Sequence, residues 1–201
     1  FIPDDRWKRE TLAETWTTGD SYNMSIGQGY MLSTPLQVLV SAAAVANGGK
    51  VMQPQIVYQI TDANGGLQRN FEPKVVRELP VSPENLRYIQ EGMWSAVNAP
   101  AGTAIASQIA GITVAGKTGT AEYCDYQPEK FPDTDGCRRD DKDNLPTHAW
   151  YVAYAPYEAP EIAIVVFVYD GGEGSGTALP VARRTMETYF SQISPRAASS
   201  G

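Results

Sequence analysis

The chain has 201 residues, of which 16 are basic and 23 acidic, so its formal net charge is −7. Because the basic residues do not cluster, this charge excludes the electrostatic pattern typical of nucleic-acid-binding proteins. Hydrophobic residues make up 42% of the sequence, enough to bury a core in one large domain or a substantial part of one. The longest apolar runs, 38–46 and 162–169, are well short of the ~20 residues that a membrane-spanning helix needs.

The first 33 residues show no long periodic pattern, and we predict that they form loops and short turns. Their aromatic side chains, Trp7, Trp16 and Tyr22, are expected to anchor this segment by packing. The run Gly27-Gln28-Gly29 is more informative, because two glycines around an amide indicate backbone that lies close to another part of the molecule.

Start and stop signals surround a helix over residues 35–46. Thr34 is predicted to be its N-cap, Pro35 its first residue and Gln37 the partner in a capping box. The run Asn47-Gly48-Gly49 ends it. Since the helix is apolar on nearly all sides, we expect it to be buried.

The middle of the chain predicts a hairpin and a second helix. Residues 56–60 and 67–71 flank the turn-rich run 62–66, which is typical of a β-hairpin. A helix is predicted from Ser82 and Pro83 onwards, followed by a short helical turn over 103–108. The helix that starts at Ser82 is predicted to face the core with residues spaced by three and four positions: Leu86, Ile89, Met93 and Val97.

The run 112–123 predicts a strand that changes character halfway. It begins with β-branched residues suited to packing, then places a cation, two hydroxyls and a glycine in consecutive positions. Because alternate residues of a strand share a face, Lys117 and Gly119 lie on one side and Thr118 and Thr120 on the other. Both faces are therefore polar or bare where packing should continue, which indicates a binding site.

The residue types in this strand favour a peptide ligand with a carboxylate at its end. Lys117 can hold an anionic group, and Thr118 and Thr120 add hydroxyl donors. Glycine within a strand is usually explained by the close approach of a ligand or of another backbone, which suits Gly119. If the strand lies at a sheet edge, its backbone can also pair with an extended peptide.

A competing motif covers the same residues. Residues 111–118 match the P-loop spacing G-x-x-x-x-G-K-[ST], and the apolar run 162–169 followed by Asp170 imitates the strand and aspartate that hold magnesium in such enzymes. A P-loop needs a strand before the glycines and a helix that begins at the lysine. Here the β-branched residues lie inside the supposed loop and no helical stripe follows Lys117, so we favour the peptide site.

A polar loop over 124–147 contains both cysteines of the chain, Cys124 and Cys137. Outside the cytoplasm a disulfide between them is expected, but free thiols remain an alternative. Metal binding together with His148 or nearby aspartates is a further alternative, although the spacing matches no recognised ligand pattern. The charged residues of the loop are expected to form a solvated face.

His148 is the only histidine, so a Ser-His-Asp triad would have to use it.

The last quarter of the chain predicts two strands and a helix. Strands are expected over about 148–155 and 161–169, the second suited to the centre of a covered sheet. The glycine-rich run 171–176 is interpreted as a flexible turn. A terminal helix is predicted over about 180–193, and a flexible tail over 195–201.

Taken in order, these motifs resemble those of class B penicillin-binding proteins, because K-T-G is a signature of penicillin-binding proteins and class A β-lactamases. K-T-G alone is a weak signal, but further blocks occur in the order found in the family, and the resemblance covers nearly the whole chain. The blocks are Trp7-Lys8, residues 19–30, Thr34-Pro35-Leu36-Gln37, Asn47-Gly48-Gly49, Gly102-Thr103-Ala104, residues 115–122 and His148-Ala149-Trp150-Tyr151.

The resemblance implies an α+β fold, in which helices pack on an antiparallel sheet, with residues 1–194 as the carboxy-terminal portion of one transpeptidase domain. It implies that Lys117, Thr118, Gly119 and Thr120 form the substrate-binding site, in which Gly119 keeps the strand edge open and the other three hold the terminal carboxylate. It also implies that Lys117 aids catalysis and that the backbone N–H of Thr120 is an oxyanion-hole donor. It also implies that His148 belongs to the scaffold. The expected activity is the crosslinking of peptidoglycan stem peptides through a serine acyl-enzyme, without a cofactor.

The same resemblance implies partners and a location that this chain does not itself encode. The ligands would be D-Ala-D-Ala stem peptides and β-lactams, and the parent protein would work with a membrane glycosyltransferase and a cell-wall scaffold, outside the cytoplasm and anchored by an N-terminal helix. No serine is followed three residues later by lysine, so the S-x-x-K nucleophile motif is absent. We therefore expect a fragment that is inactive alone, with a non-catalytic penicillin- or peptide-binding module as the alternative.

Overall fold

The computed structural model describes residues 1–132 and 135–194. They form five α-helices, seven strands, a 3-10 turn at Ile105–Ser107 and a π-helical turn at Tyr189–Ile193. The helices are α1 (Asp5–Leu12), α2 (Thr18–Ser25), α3 (Pro35–Ala46), α4 (Pro83–Asn98) and α5 (Ala178–Thr188). The strands are β1 (Lys50–Met52), β2 (Gln59–Thr61), β3 (Leu67–Asn70), β4 (Val75–Glu78), β5 (Ala115–Glu122), β6 (Thr147–Ala155) and β7 (Ile162–Val168). The tail expected over 195–201 lies outside the described residues.

The central element is a three-stranded antiparallel sheet in the order β5-β6-β7. The register pairs Ala115 with Tyr154 and Glu122 with Thr147, so β5 is bonded to β6 along its whole length. Strand β6 pairs in turn with β7, from Ala149 opposite Val168 to Ala155 opposite Ile162. The mixture of helices with an antiparallel sheet confirms the predicted fold class.

One face of this sheet carries the main core. The side chains of Ala149, Tyr151 and Ala153, which alternate along β6, are all fully buried. They belong to one cluster with α5 and α4, to which Leu179, Ala182, Met186 and Val97 contribute. The opposite face meets α3, since Ala163 of β7 lines a groove with Leu36, Leu39 and Val40. Helices therefore cover both faces.

The prediction of loops over residues 1–33 is wrong, because two eight-residue helices form there. Side-chain caps explain them. Asp4 accepts a hydrogen bond from the N–H of Trp7 at the start of α1, and Thr17 with Asp20 forms a capping box at the start of α2. Tyr22 is not an anchor, since 70% of its surface is exposed. These helices are too short to show an apolar period.

The capping of α3 is confirmed, but its complete burial is not. Thr34 and Gln37 form the expected capping box around Pro35. Only Ala42 and Ala44 are buried, whereas Leu36 is 54% exposed. One side of α3 packs on the sheet and β1, and in the part of the chain that the structure describes the other side is left in solvent.

The stripe predicted for α4 is wrong at one position. Leu86 and Val97 are buried as expected, but Ile89 is 47% exposed. Gln90 takes the inward position and donates from Nε2 to the carbonyl of Val45 at 2.7 Å. A polar side chain can therefore face α3, because its hydrogen-bonding group has a backbone partner.

Two further strand predictions need adjustment. The hairpin is confirmed as β2 paired with β3, but both strands are shorter than predicted and exposed throughout. Strand β7 lies at an edge of the described sheet rather than at its centre. No helix among the described residues has both the length and the apolar character needed to cross a membrane.

Candidate active site

Strand β5 places Lys117, Thr118, Gly119 and Thr120 on an open border of the sheet. It pairs with β6 on one side, and the described residues provide no strand on the other. Lys117 and Thr120 are exposed, while Thr118 and Gly119 are partly buried. Because the strand continues through Lys117 and no helix begins there, the P-loop alternative is contradicted.

Two contacts fix which backbone groups of β5 face outwards. Gln28 donates from Nε2 to the carbonyl of Thr120 at 3.1 Å, and Lys117 Nζ donates to the carbonyl of Thr118. In an antiparallel strand the N–H and C=O of one residue point to the same side. The N–H of Thr120 therefore also points to the open border, as a donor to a bound oxygen must.

The side chain of Thr118 contacts a residue whose part in this site the sequence did not predict. Its Oγ1 donates to Oγ1 of Thr103 at 3.1 Å. Thr103 follows Gly102, whose backbone lies so close to the carbonyls of Ser95 and Ala96 that a Cβ would not fit. The resemblance already included residues 102–104 as a block, but only the fold brings Thr103 beside β5.

Gly119 lies against its cross-strand neighbour, Trp150, and its backbone is in turn approached by Gly174. A Cβ on Gly119 would lie 3.1 Å from Cβ of Trp150, tighter than ordinary contact. A Cβ on Gly174 would collide with the carbonyl of Trp150 and lie 2.5 Å from that of Gly119. The run 171–176 is therefore a packed crossing over β5 and β6, and our interpretation of it as a flexible turn is wrong. The N–H of Leu179 fixes it by donating to the carbonyl of Gly174 at 2.9 Å.

The loop between β5 and β6 is tied to the end of β7. Cys124 and Cys137 form a disulfide, so neither thiol is free or available to a metal. The guanidinium of Arg138 reaches Asp125 at 2.8 Å and Asp170 at 2.7 Å. The hydrogen bonds that Arg138 donates to these carboxylates raise its pKa above an already high value. We expected the charged residues of this loop to form a solvated face, but Arg138 and its two carboxylates form ion pairs within the molecule.

His148 packs among aromatic rings beside this loop. Its ring stacks on Tyr123 with 3.9 Å between centroids, and its Nδ1 accepts from the N–H of Asp170 at 3.2 Å. Partial burial lowers the pKa of His148, which favours the neutral ring that can accept this bond. Burial also raises the pKa of Tyr123 to about 12. These contacts support a packing role for His148.

The β5 border is an open surface, and the apolar grooves lie elsewhere. One groove of about 230 Å³ lies between α3 and residues 52–54, and another of about 300 Å³ is lined by residues 52–53 and 55–58 with Phe71 and Pro73. Among the described residues, no cluster of His, Cys, Asp or Glu is suited to hold a metal ion.

Comparison with known proteins identifies the family. Residues 4–187 match the penicillin-binding protein transpeptidase domain. The peptidoglycan D,D-transpeptidase MrdA of Haemophilus influenzae is 33% identical over 198 residues, which are 97% of this chain and 29% of that protein. The chain thus spans less than a third of this relative's length.

Solved structures agree with the sequence match. The imipenem acyl-enzyme complex of penicillin-binding protein A from M. tuberculosis has a TM-score of 0.65 and 30% identity, over 84% of this chain and 33% of that one. The complex between penicillin-binding protein PBP2 and MreC from Helicobacter pylori gives a TM-score of 0.66 and 28% identity, over 96% and 31%. The chain belongs to the penicillin-binding protein transpeptidase family, which confirms the resemblance to its class B members.

Proposed function

We propose that this chain supplies the substrate-binding border of a D,D-transpeptidase that crosslinks peptidoglycan stem peptides. The observation that carries the proposal is the outward backbone of Thr118 and Thr120 on β5, next to the exposed ammonium group of Lys117. Among the described residues no carboxylate forms an ion pair with Lys117, so its charge is available to an anionic ligand. A peptide that ends in D-Ala-D-Ala offers both the backbone and the carboxylate that this border can bind.

Each residue then has a role in the reaction. Lys117 attracts the terminal carboxylate, and the hydroxyl of Thr120 donates a hydrogen bond to it. The hydroxyl of Thr118, which donates to Oγ1 of Thr103 in the structure, does the same once it turns its single proton towards the carboxylate. The N–H of Thr120 stabilises the oxyanion that forms when a serine attacks the penultimate carbonyl. The serine belongs to an S-x-x-K motif outside this chain. Its attack breaks the peptide bond to the terminal D-Ala, which leaves, and the acyl group then passes to an amine of a second stem peptide, which frees the serine. The imipenem acyl-enzyme of the M. tuberculosis relative supports β-lactams as ligands of the same site.

Lys117→Ala in the longer transpeptidase that carries this chain tests the proposal. We expect acylation by a fluorescent penicillin to slow by about 10²-fold or more, because the ligand loses the ammonium group that holds its carboxylate and its reacting carbonyl is misplaced. Lys50→Ala is the matched control, since Lys50 is also an exposed strand lysine but lies in β1. Circular dichroism should show both variants folded, and an unchanged acylation rate in Lys117→Ala would contradict the proposal.

The chain alone provides a second test. Mass spectrometry after incubation with penicillin should find no stable adduct, because no serine is followed three residues later by lysine. An adduct on Ser21 or Ser25 would show that the nucleophile is present after all.

The absent motif also favours a second candidate, a penicillin- or peptide-binding module without chemistry. An S-x-x-K motif in the parent sequence upstream of this chain would decide for the enzyme.

We further propose partners and a location for the parent protein. It would act outside the cytoplasm, held by an N-terminal membrane helix, together with a glycosyltransferase and a cell-wall scaffold. The complex of the H. pylori relative with MreC supports a partner of the scaffold type. Co-purification from membranes, with and without the proposed anchor, tests this assignment.

A further inference from the structure

We propose that Gln28 is a positioning residue for the border of β5, which holds the outward carbonyl of Thr120 and thereby orients the N–H of the same residue. The inference rests on the proposed function, because it assigns a role in that reaction. The contact joins residues 92 positions apart, with 3.1 Å between Nε2 of Gln28 and the carbonyl oxygen of Thr120.

The end of α2 determines where Gln28 lies. Gly27 adopts a left-handed φ of 79°, its N–H donates to the carbonyl of Met24 at 3.0 Å, and the N–H of Gln28 donates to the carbonyl of Asn23 at 2.9 Å. These two bonds form a Schellman motif, in which glycine supplies the left-handed residue. The backbone of Gln28 is therefore fixed by the helix end, and its side chain is free to reach β5.

Helix α2 is itself held in place at its other end. Asp20 closes the capping box with Thr17 and also pairs with Lys8 of α1 at 2.8 Å. Only 4% of Lys8 is exposed, which makes this pair part of the interior. The support of Gln28 thus continues through two packed helices, which a surface side chain in a mobile loop would lack.

The hydrogen bond restrains a part of β5 that is paired with β6 on one side but lacks support on its open side. Thr120 is two residues from the end of the strand, and no described strand pairs with it on the open side. Since its N–H and C=O point the same way, holding the carbonyl also holds the N–H. A carbonyl oxygen has two lone pairs, so Gln28 leaves one for the amide N–H of an extended peptide.

The first test compares two glutamines in the parent transpeptidase. Gln28→Glu replaces the donor by a carboxylate that cannot donate at neutral pH and repels the carbonyl. We expect the rate constant of acylation by penicillin to fall about tenfold, less than the ~10²–10³-fold cost of deleting an oxyanion donor, with a smaller change in the affinity before acylation. Gln55→Glu is the control, because Gln55 Nε2 also donates to a backbone carbonyl, that of Glu72 at 3.0 Å, far from this site.

A second pair of variants tests the helix end without touching the hydrogen-bonding side chain. Gly27 and Gly65 both have φ near 80°, 79° and 82°, and a Cβ on either would meet no atom within 4 Å. Gly27→Ala and Gly65→Ala should therefore cost similar stability through backbone strain alone. Only Gly27→Ala should slow acylation, because only it displaces Gln28.

NMR of the chain itself separates failure of this proposal from failure of the proposed function. The amide of Ala121 shares its peptide group with the carbonyl of Thr120, so its resonance should shift in Gln28→Glu and stay in place in Gln55→Glu.

If Lys117→Ala slows acylation but Gln28→Glu does not, the positioning role is wrong and the function stands. If Gln28→Glu raises only the dissociation constant, Gln28 binds ligand rather than orienting Thr120, which also overturns the proposal.

Discussion

Gly174 and Gly119 meet where the segment after β7 crosses the sheet, and Gly174 has no room for a side chain there, whereas a Cβ on Gly119 would be in tight contact with Trp150. The backbone of Gly174 lies against the carbonyls of Trp150 and Gly119, whose own Cβ position faces Trp150. The sequence indicated a close approach at Gly119, because glycine in a strand usually marks one. It could not indicate that Gly174 is the approaching residue, since 55 positions separate the two.

A methyl group at Gly174 should lift the crossing segment off β5. We expect Gly174→Ala to lower the acylation rate of the parent enzyme by about tenfold or more, because small misplacements of a catalytic group are costly. Gly176→Ala is the matched control, since its nearest neighbour, the carbonyl of Glu173, would be 3.9 Å away. Equal rates in the two variants would show that the crossing does not position β5.

The pair between Lys8 and Asp20 should matter more for stability than the exposed pairs around it. Asp20→Asn leaves the buried ammonium of Lys8 without its closest partner, and removing one member of a buried pair is strongly destabilising. Glu10→Gln breaks the exposed pair with Arg6 and should have little effect. Urea denaturation of both variants measures the difference, and equal midpoints would contradict a structural role for Asp20.

The same pair gives a pH dependence with a definite sign. The hydrogen bond from Lys8, followed by those from Thr17, lowers the pKa of Asp20 to about 2. The stabilisation is therefore complete above the ordinary carboxyl pKa of 3.8 and is lost as the pH falls towards 2. Stability measured between pH 5 and pH 2 should fall less steeply in Asp20→Asn than in the unmodified protein.

At the scale of elements, what the sequence predicted depended on length and on local signals. Helix α3 was predicted because Thr34, Pro35 and Gln37 mark its start, and β5 because β-branched residues precede its polar run. Helices α1 and α2 were missed, since in eight residues the caps at Asp4 and Thr17 are the main signal. The contact of Gln28 with Thr120 could not be predicted, because only the packed fold brings distant segments together.

The disulfide should stabilise the loop between β5 and β6. In the chain-entropy model a loop closed over a separation of 13 residues contributes about 3 kcal/mol. We expect the double variant Cys124→Ser/Cys137→Ser to lose about this much free energy of unfolding, and reduction of the unmodified chain to have the same effect. Reductant should leave the double variant unchanged. If the double variant were as stable as the oxidised, unmodified chain, the ion pairs of Arg138 with its two carboxylates would suffice to hold the loop.

At the scale of the whole molecule, the described residues leave many large apolar side chains exposed. Leu36 of α3 is 54% exposed and Ile56 fully so, while β7 has no partner on its outer side among the described residues. A long apolar strand at an edge is a template for pairing with another chain. The chain covers less than a third of its MrdA relative, so further domain residues would be available to cover this surface in a longer protein.

We therefore expect the chain alone to self-associate as its concentration rises. Light scattering coupled to size exclusion should show species larger than a monomer, and these should persist at high salt because their contacts are apolar. Ile56→Glu adds a charge at a fully exposed position and should reduce association if the surface around residues 52–58 takes part. A strictly monomeric chain at high concentration would contradict the prediction.

Among the residues that the structure describes, no strand covers either border of the sheet, and the two borders differ in character with a practical consequence. Beside β5 the border offers an ammonium group and hydroxyls, whereas β7 is apolar throughout and exposes the side chain of Phe167. In a hydrogen–deuterium exchange experiment, two short peptides should therefore bind at different borders. A peptide with a free terminal carboxylate should slow deuterium uptake near Thr120, and a hydrophobic peptide should slow it near Val166. Such sorting would let a fluorescent tracer report on one border while the other is blocked.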